Sequence, residues 1–546
     1  MYNSKWLALC HYWVAFAVFL PAAILGAWQM LMRSPLPAPL DDPNLYYTSV
    51  TLHGTAMAYV VTTFFAMGFG YAVTATSLSR PIKGTTAAWI GFITCLIGAL
   101  MAVAAILSGK ASVLYTFYPP LLGSAWYYSG AFLLVGGSMI WVVLMVVNMA
   151  AWKRDNPGRP VPLAMFATTA TALLWAWAAS GVELELIGIV LPRALGFTVE
   201  MDAGLARMLF SVTLHAIVYF WLMPAYIAFY TLVPQVAGGR LYSDTMGRVT
   251  FIMFLLFSVP VGIHHLLADP EIGIGFKFSQ SFLTFLVALP TLLTVFSICA
   301  SFEIAGRHRG GRGLLGWITA LPWHEPMILA VGLSLIMLGL GGGGGLINMS
   351  YGMNSLIHNT AWIPAHFHLI FGGAVVIMYF AIAYEMWPRI TGKSLQSKRL
   401  ARWQLWLWFW GMLITTIPWH ITGLMGQPRR VAIFDFSDPL LAPMVPLAIL
   451  SVIGGFTLLL SAILLVTILV RSQIGKIELP ELLNYALAVN PPVRVPKSLN
   501  GFALWNAILL MFMIVEYGYP IGQFFILKSS VPGYEVTRQS TAAGVR

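Results

Sequence analysis

Apolar residues fall into thirteen long runs along the 546-residue chain, separated by shorter stretches rich in Gly, Pro, Lys and Arg. An α-helix needs about 20 predominantly apolar residues to cross the hydrocarbon core of a bilayer, and each run reaches that length. The pattern therefore predicts an all-α polytopic membrane bundle, with residues 1–546 forming a single transmembrane domain. The predicted spans are 8–30, 47–76, 86–108, 126–151, 163–188, 204–233, 248–267, 279–303, 326–347, 361–387, 402–424, 442–470 and 501–527.

Composition agrees with a membrane protein, since 59% of the residues are hydrophobic and only 9% are charged. The three cysteines, Cys10, Cys95 and Cys299, have no paired spacing, so they predict neither a disulfide framework nor a thiolate metal site. The net charge of +11 lies in the loops. It therefore indicates membrane orientation rather than nucleic-acid binding.

Lys and Arg are distributed unequally between the two sides of the predicted bundle. The N-terminus and the even-numbered loops carry twenty of the 30 Lys and Arg residues, and the other side carries ten. Positively charged loops stay preferentially in the cytoplasm. The N-terminus is thus predicted to be cytoplasmic and the C-terminus external.

Two histidines two residues apart, His366 and His368, lie in the tenth span. Each residue of an α-helix turns the side-chain direction by about 100°, so these imidazoles project onto opposite faces and one helix could hold a metal on each side. The alternative is a pair of buried histidines bonded to neighbouring helices, because this two-residue pattern is short and weak.

Four further histidines occur in other spans. His264 and His265 are adjacent in the last turn of the seventh span, so both can reach one ion from a helix. His215 in the sixth span would complete three imidazoles around copper or zinc. His53 lies in the second span beside Gly54, which allows a flat ring to approach. With the predicted orientation, all six histidines share one layer nearer the external face, which scattered structural histidines have no reason to do.

Polar side chains lead from this layer toward the cytoplasm. Tyr219 follows His215 by one turn, and Tyr226 and Tyr230 continue the same face. The eighth span adds hydroxyls at three-residue spacing, namely Thr291, Thr294 and Ser297. These groups predict a proton path, with the alternative that the hydroxyls only bond to their own backbone carbonyls.

Two external loops carry the remaining candidates. One contains Asn354, His358 and Asn359, and the other contains the adjacent Arg429 and Arg430. Two arginines on the side where positive charge is scarce require an anion, and their planar donors suit carboxylate groups.

Taken together, these patterns resemble the haem-copper oxygen reductase family, specifically the catalytic subunit I of its B-type cytochrome c oxidases. The resemblance runs from about residue 45 to residue 430. The matching stretches are residues 52–54, 215–221, 262–265, 358–368 and 428–430.

The resemblance implies a role for each candidate residue. His53 and His368 would hold a low-spin haem b, and His366 would hold a high-spin a-type haem. The remaining three histidines would hold a copper ion, CuB. Tyr219 would be covalently joined to His215. Arg429 and Arg430 would lie over the haem propionates, with His358 and Asn359 also at the cofactor. The single K-type proton channel would comprise Tyr226, Tyr230, Thr291, Thr294 and Ser297.

Two positions depart from the family pattern. Ala216 follows the copper histidine where proline is usual, and Asn354 stands where close relatives commonly have aspartate. Ile217 replaces the glutamate of the A-type enzymes. Ala216 implies a slightly different local helix geometry. Asn354 argues against a role for a carboxylate at that position in loading pumped protons, and Ile217 argues against the second, glutamate-ended channel.

The implied activity is four-electron reduction of O₂ to water, coupled to proton translocation across a bacterial or archaeal cell membrane. Electrons would come from cytochrome c through a CuA-bearing subunit II, because this chain has no CuA motif, and a small third subunit is compatible with the family. Membrane lipid surrounds the bundle, and no nucleic-acid partner is expected. The alternatives are a nitric oxide reductase of the same superfamily, which usually lacks the linked tyrosine, and a multi-span transporter, which gives no reason for six histidines in one layer.

Overall fold

The computed structural model describes residues 2–117, 119–198, 201–268, 273–477 and 484–525. Within these ranges thirteen long helices match the thirteen apolar runs, and no strand occurs, so the prediction of an all-α bundle is confirmed. The helices are α1 (Tyr2–Met32), α2 (Pro43–Ser77), α3 (Thr85–Leu107), α4 (Ala125–Asp155), α5 (Leu163–Ala194), α6 (Ala203–Thr231), α7 (Asp244–Ser258), α8 (Ile274–His308), α9 (Pro326–Met349), α10 (Trp362–Thr391), α11 (Lys398–Leu424), α12 (Val445–Gln473) and α13 (Ala503–Phe525).

Ten helices in the described ranges are long and apolar enough to cross a membrane on their own. The other three are α7, which has only 15 residues, α11, which opens with basic residues, and α13. These three are long helices packed in the same bundle, so they complete the predicted set of thirteen. The last two residues of the thirteenth predicted span, 526 and 527, lie outside the described residues.

The helices that carry four of the candidate histidines form the centre of the bundle. Of the most apolar stretch of each span, 94% is buried in α2, 83% in α6 and 78% in α10. By contrast, 44% is buried in α3 and in the span that contains α12. The candidate sites are therefore enclosed by protein, and the outer helices face the surrounding lipid.

Both helices of the His53–His368 pair depart locally from α geometry. α2 contains a π-helical segment, Ala56–Val61, three residues after His53, and α10 contains another, His368–Val375, which begins at the histidine itself. A π turn inserts a residue into the helical ladder and is frequent at functional sites. Here it changes the direction of each helix face just beyond the histidine.

The seventh predicted span is not one continuous helix. α7 ends at Ser258, and a separate 3₁₀ turn, Gly262–Leu266, carries His264 and His265. Pro260 lies in the break, where its ring removes a backbone donor and disfavours continuation of the α-helix. The expectation that both histidines lie in the last turn of the seventh helix is therefore wrong, and we call Gly262–Leu266 the histidine turn.

Candidate metal centres and proton path

His53 on α2 and His368 on α10 face each other. Their ring centres are 6.3 Å apart, and the ring planes differ by 17°. The Nδ1–H of His53 donates to the carbonyl of Ala22 at 2.8 Å, and that of His368 donates to the carbonyl of Pro364 at 2.7 Å. These bonds fix the tautomer and leave Nε2 of each ring as the ligand atom. Two metal–nitrogen bonds of about 2 Å each fit the separation of the rings.

His366 turns to the other side of α10. Its Nδ1–H donates to the carbonyl of Gly341 on α9 at 3.0 Å. A Cβ atom at Gly344 would lie 3.0 Å from the same nitrogen, so a larger residue there would press against the ring. The two histidines of α10 thus contact different neighbours, as the spacing predicted, and His366 also keeps Nε2 available.

The other three histidines form a compact cluster. One ligand nitrogen from each of His215, His264 and His265 lies within 4.8 Å of the others. Nε2 of His215 and Nε2 of His265 are buried without a hydrogen-bond partner. An unsatisfied buried nitrogen is costly, and a cation shared by the three rings would satisfy it. The donor set of three neutral imidazoles fits copper.

The ring of His264 is oriented by contacts to Nδ1, the nitrogen that is not the ligand atom. The Nδ1–H of His264 donates to the carbonyl of Val261, and Oγ1 of Thr284 on α8 lies 3.1 Å from the same nitrogen. Such outer contacts select the tautomer and direct Nε2 toward a metal. Sequence reasoning missed Thr284, whose only signal was a hydroxyl in an otherwise apolar run.

The cluster and His366 lie on helices that pack together. The ring of Trp221 on α6 has its centre 5.7 Å from that of Phe367 and 4.6 Å from that of Phe371. Tyr379 on α10 also donates its hydroxyl to the Trp221 carbonyl at 2.6 Å. α6, which carries His215, therefore packs directly against α10, which carries His366.

Tyr219 lies against His215. Their ring centres are 4.9 Å apart and the ring planes meet at 57°. The one-turn spacing on α6 brings them together, as the sequence indicated. The phenol is therefore next to a ring of the histidine cluster.

Hydroxyl groups continue from this point along α6 and α8. The Tyr226 hydroxyl lies 3.3 Å from that of Thr291, and the Tyr230 hydroxyl lies 3.3 Å from that of Thr294. Thr294 donates its own proton to a backbone carbonyl one turn back, at 2.8 Å, so it can accept from Tyr230. The bond to the backbone carbonyl, which the packing alternative expected, therefore uses only the hydroxyl's proton and leaves its oxygen free to accept.

The polar path has one gap and one further member. Phe254 contacts both Tyr219 and Tyr226, with ring centres 5.6 Å and 4.8 Å away, and no direct hydrogen bond joins the two tyrosines in the described structure. A water molecule would have to bridge them. Thr250 on α7, which sequence reasoning missed, lies 3.1 Å from the Tyr230 hydroxyl. Ser297 is buried one turn beyond Thr294, but its hydroxyl has no hydrogen-bond partner within the described residues.

The loop before α10 and the loop after α11 are joined at their polar residues. Arg429 donates from Nη2 and Nε to the Asn359 side-chain oxygen, at 2.7 Å and 3.2 Å. Burial, followed by the positive charges of Arg429, Arg207 and Arg430, lowers the pKa of His358 to about 4. His358 is therefore neutral at pH 7 and adds no charge to those of the arginines, and its Nδ1 lies 3.2 Å from Oδ1 of Asn354.

Comparison with known proteins places this arrangement in context. The family model described as cytochrome c and quinol oxidase polypeptide I matches residues 7–457. Cytochrome c oxidase subunit 1 of Thermus thermophilus is 36% identical over 98% of this chain and 97% of its own length. Haem-copper oxidase subunit I+III of Aeropyrum pernix is 27% identical over 79% of this chain and 52% of its own length. A haem-copper terminal oxidase dimer solved by cryo-electron microscopy superposes with a TM-score of 0.91 and 32% identity, covering 95% of this chain and 92% of that one.

Proposed function

Because this chain belongs to the cytochrome c and quinol oxidase polypeptide I family, we propose that its histidine cluster and the neighbouring His366 form the centre at which it reduces O₂ to water. The chain is the catalytic subunit of a terminal respiratory oxidase, and the family membership excludes the transporter alternative. The observation that carries the assignment of the centre is the cluster of His215, His264 and His265, whose ligand atoms lie within 4.8 Å of one another.

The family implies haems and copper, which supply the redox chemistry when they are bound. We assign a low-spin haem b to His53 and His368, and a high-spin a-type haem to His366. Copper is assigned to the three-histidine cluster. The support is that the Nδ1 atoms of His53, His366 and His368 are all occupied by backbone carbonyls, so each ring presents Nε2 alone.

Arg429 and Arg430 are assigned to the haem propionates. Guanidinium groups recognise carboxylates through paired donors. Asn359 already accepts from Arg429 and so limits the orientation of its guanidinium. His358, being neutral, neither repels the arginines nor competes as a charged partner for a propionate.

Tyr219 is assigned as the residue that delivers an electron and a proton during O₂ reduction, linked covalently to His215. The support is the contact between the two rings. Protons would reach it from the cytoplasm through Tyr226, Tyr230, Thr291, Thr294 and Ser297, with Thr250 as a further member. Proton transfer between Tyr219 and Tyr226 would need a bridging water molecule.

The family implies further subunits, with cytochrome c and O₂ as partners. We propose that electrons arrive through a CuA-bearing subunit II, that a small third subunit can be present, and that the enzyme translocates protons across a bacterial or archaeal cell membrane. The N-terminus is assigned to the cytoplasm because twenty of the 30 Lys and Arg residues share its side.

Optical spectra of the purified protein test the haem assignment. The wild type should show one low-spin and one high-spin haem, and His53→Ala should lose the low-spin signal while keeping the high-spin one. The reason is that the haems share α10 but not this ligand. A normal six-coordinate low-spin spectrum in His53→Ala would contradict the assignment, and absence of haem bands from the wild type would refute the whole proposal.

The proton path is tested at Thr294. Valine keeps the shape of the side chain but removes the acceptor of the Tyr230 hydroxyl. Steady-state O₂ consumption in Thr294→Val should fall by about 10-fold or more, since a positioned proton donor commonly contributes a factor of about 100 to 10,000. Haem reduction by an electron donor should change less. Thr467→Val on α12 is the matched control, because that exposed hydroxyl bonds only to its own helix; equal rates in both variants would return Thr294 to a packing role.

A further inference from the structure

The break after α7 interrupts the helical hydrogen bonds, so backbone N–H and C=O groups inside the bundle need partners from elsewhere. Inside a membrane, backbone groups without a hydrogen-bond partner are strongly unfavourable, so other partners are needed. Here the partners come from two distant helices. The Gly262 N–H donates to the Tyr517 hydroxyl on α13 at 3.0 Å, and the Ile263 N–H donates to Oε1 of Gln280 on α8 at 3.1 Å. These two residues immediately precede His264.

Gln280 is fully buried, and its three hydrogen bonds determine the orientation of its amide. Its oxygen accepts from Ile263, while Nε2 donates to the Pro260 carbonyl at 2.9 Å and to Oε2 of Glu516 at 2.9 Å. A flipped amide would set two donors against each other on one side and oxygen against oxygen on the other. Glu516 also accepts from the Ser279 hydroxyl at 3.1 Å, so its carboxylate is held in place.

The same contacts press the histidine turn against α6. A Cβ atom at Gly262 would lie 1.5 Å from the backbone oxygen of Ser211, so only glycine allows this approach. Ser211 precedes His215 by one helical turn, which brings His264 and His265 to the third histidine of the cluster. Tyr517 belongs to the small buried group that closes this contact, together with Met208, Val212, Ile263 and Leu266.

From these contacts we infer that Tyr517, Gln280 and Glu516 are positioning residues for the copper site, and that α13 is a structural part of that site. None of the three is assigned as a metal ligand. They satisfy the backbone on both sides of the break and so hold the two adjacent histidines in register with His215. This inference rests on the proposed copper centre, because it assigns residues that support those three ligands.

Copper affinity tests the inference most directly. Tyr517→Phe keeps the ring and its packing but removes the acceptor of the Gly262 N–H. We expect a copper affinity about 10-fold lower or more, measured as copper per haem against a series of chelator concentrations, because the loss of outer-shell partners commonly costs about 10- to 100-fold. Met513→Leu is the control, since it lies on the same helix and packs on the same group without a polar contact.

The low-spin haem band serves as an internal reference in each sample. If copper is lost while the low-spin band and the Met513→Leu variant stay normal, the positioning role is supported. If Tyr517→Phe keeps wild-type copper affinity, or loses copper and low-spin haem in equal proportion, the inference is overturned. A wild type without copper would instead refute the proposed function itself, so the two failures are distinguishable.

A second pair of variants tests the other support. Glu516→Gln retains an oxygen that can accept from Gln280 and should bind copper nearly as the wild type does. Glu516→Leu leaves that amide donor without its acceptor and should lower copper affinity in the same range as Tyr517→Phe. Equal copper affinities in the two variants would show that Glu516 has no positioning role.

Discussion

Replacing Tyr219 with Phe should nearly abolish O₂ consumption, by at least about 100-fold, while leaving haems and copper in place. Full reduction of O₂ to water takes four electrons, and the bonds of O₂ are cleaved best when all are available at once. When bound, a haem iron held by His366 and a copper ion held by the histidine cluster would together supply three of them. The fourth must come from an oxidisable group nearby, and the phenol lies with its ring 4.9 Å from that of His215.

A phenol can release an electron together with its proton, whereas the ring of phenylalanine has no proton to release. Tyr71→Phe is the matched control, because that hydroxyl is buried on α2 without a hydrogen-bond partner and outside the proposed path. Oxygen uptake and haem and copper content are measured on both variants. Mass spectrometry of wild-type peptides should also find Tyr219 linked to His215.

The same variant separates an oxidase from a nitric oxide reductase. Joining two molecules of nitric oxide requires two electrons, so it needs no additional donor. If Tyr219→Phe reduced O₂ at the wild-type rate, the proposed mechanism would fail and the nitric oxide alternative would account better for the site. Retained turnover with nitric oxide alongside lost O₂ reduction is compatible with the proposal.

Removing His265 as alanine should lower copper content to a small fraction of the wild type and abolish O₂ reduction. Two imidazoles would leave the cation under-ligated, because among the described residues the other ligand atoms of the cluster belong to His215 and His264. Copper is measured by metal analysis against haem content. His324→Ala provides the control, because the side chain of that histidine is 69% exposed and belongs to none of the proposed metal sites. Full copper occupancy with normal turnover in His265→Ala would argue decisively against a three-histidine site.

Much of this molecule could be predicted from its sequence because its order is local. Apolar runs of about 20 residues predict spans directly, since a helix satisfies every backbone group within its own segment. The same holds within one helix, where a two-residue spacing sends His366 and His368 to different neighbours and a four-residue spacing brings Tyr219 to His215. The family resemblance, carried by these short motifs, is confirmed by the family model over residues 7–457.

Contacts between distant segments could not be predicted in this way. The histidine turn was expected to continue α7, but Pro260 breaks the helix and the broken backbone is satisfied from Gln280, 17 residues from its partner Ile263, and from Tyr517, 255 residues from Gly262. No periodicity relates residues so far apart. Their pairing follows from which helices pack side by side.

The proton path shows the same division. The shared face of Tyr226 and Tyr230 on α6 follows from helical spacing. The contact of Tyr230 with Thr294 on α8, the addition of Thr250 and the position of Phe254 between Tyr219 and Tyr226 come from packing. A pattern along one helix specifies the face on which a group lies. The distance to a group on another helix depends on how closely and at what angle the two helices pack, which side chains from the whole bundle decide together.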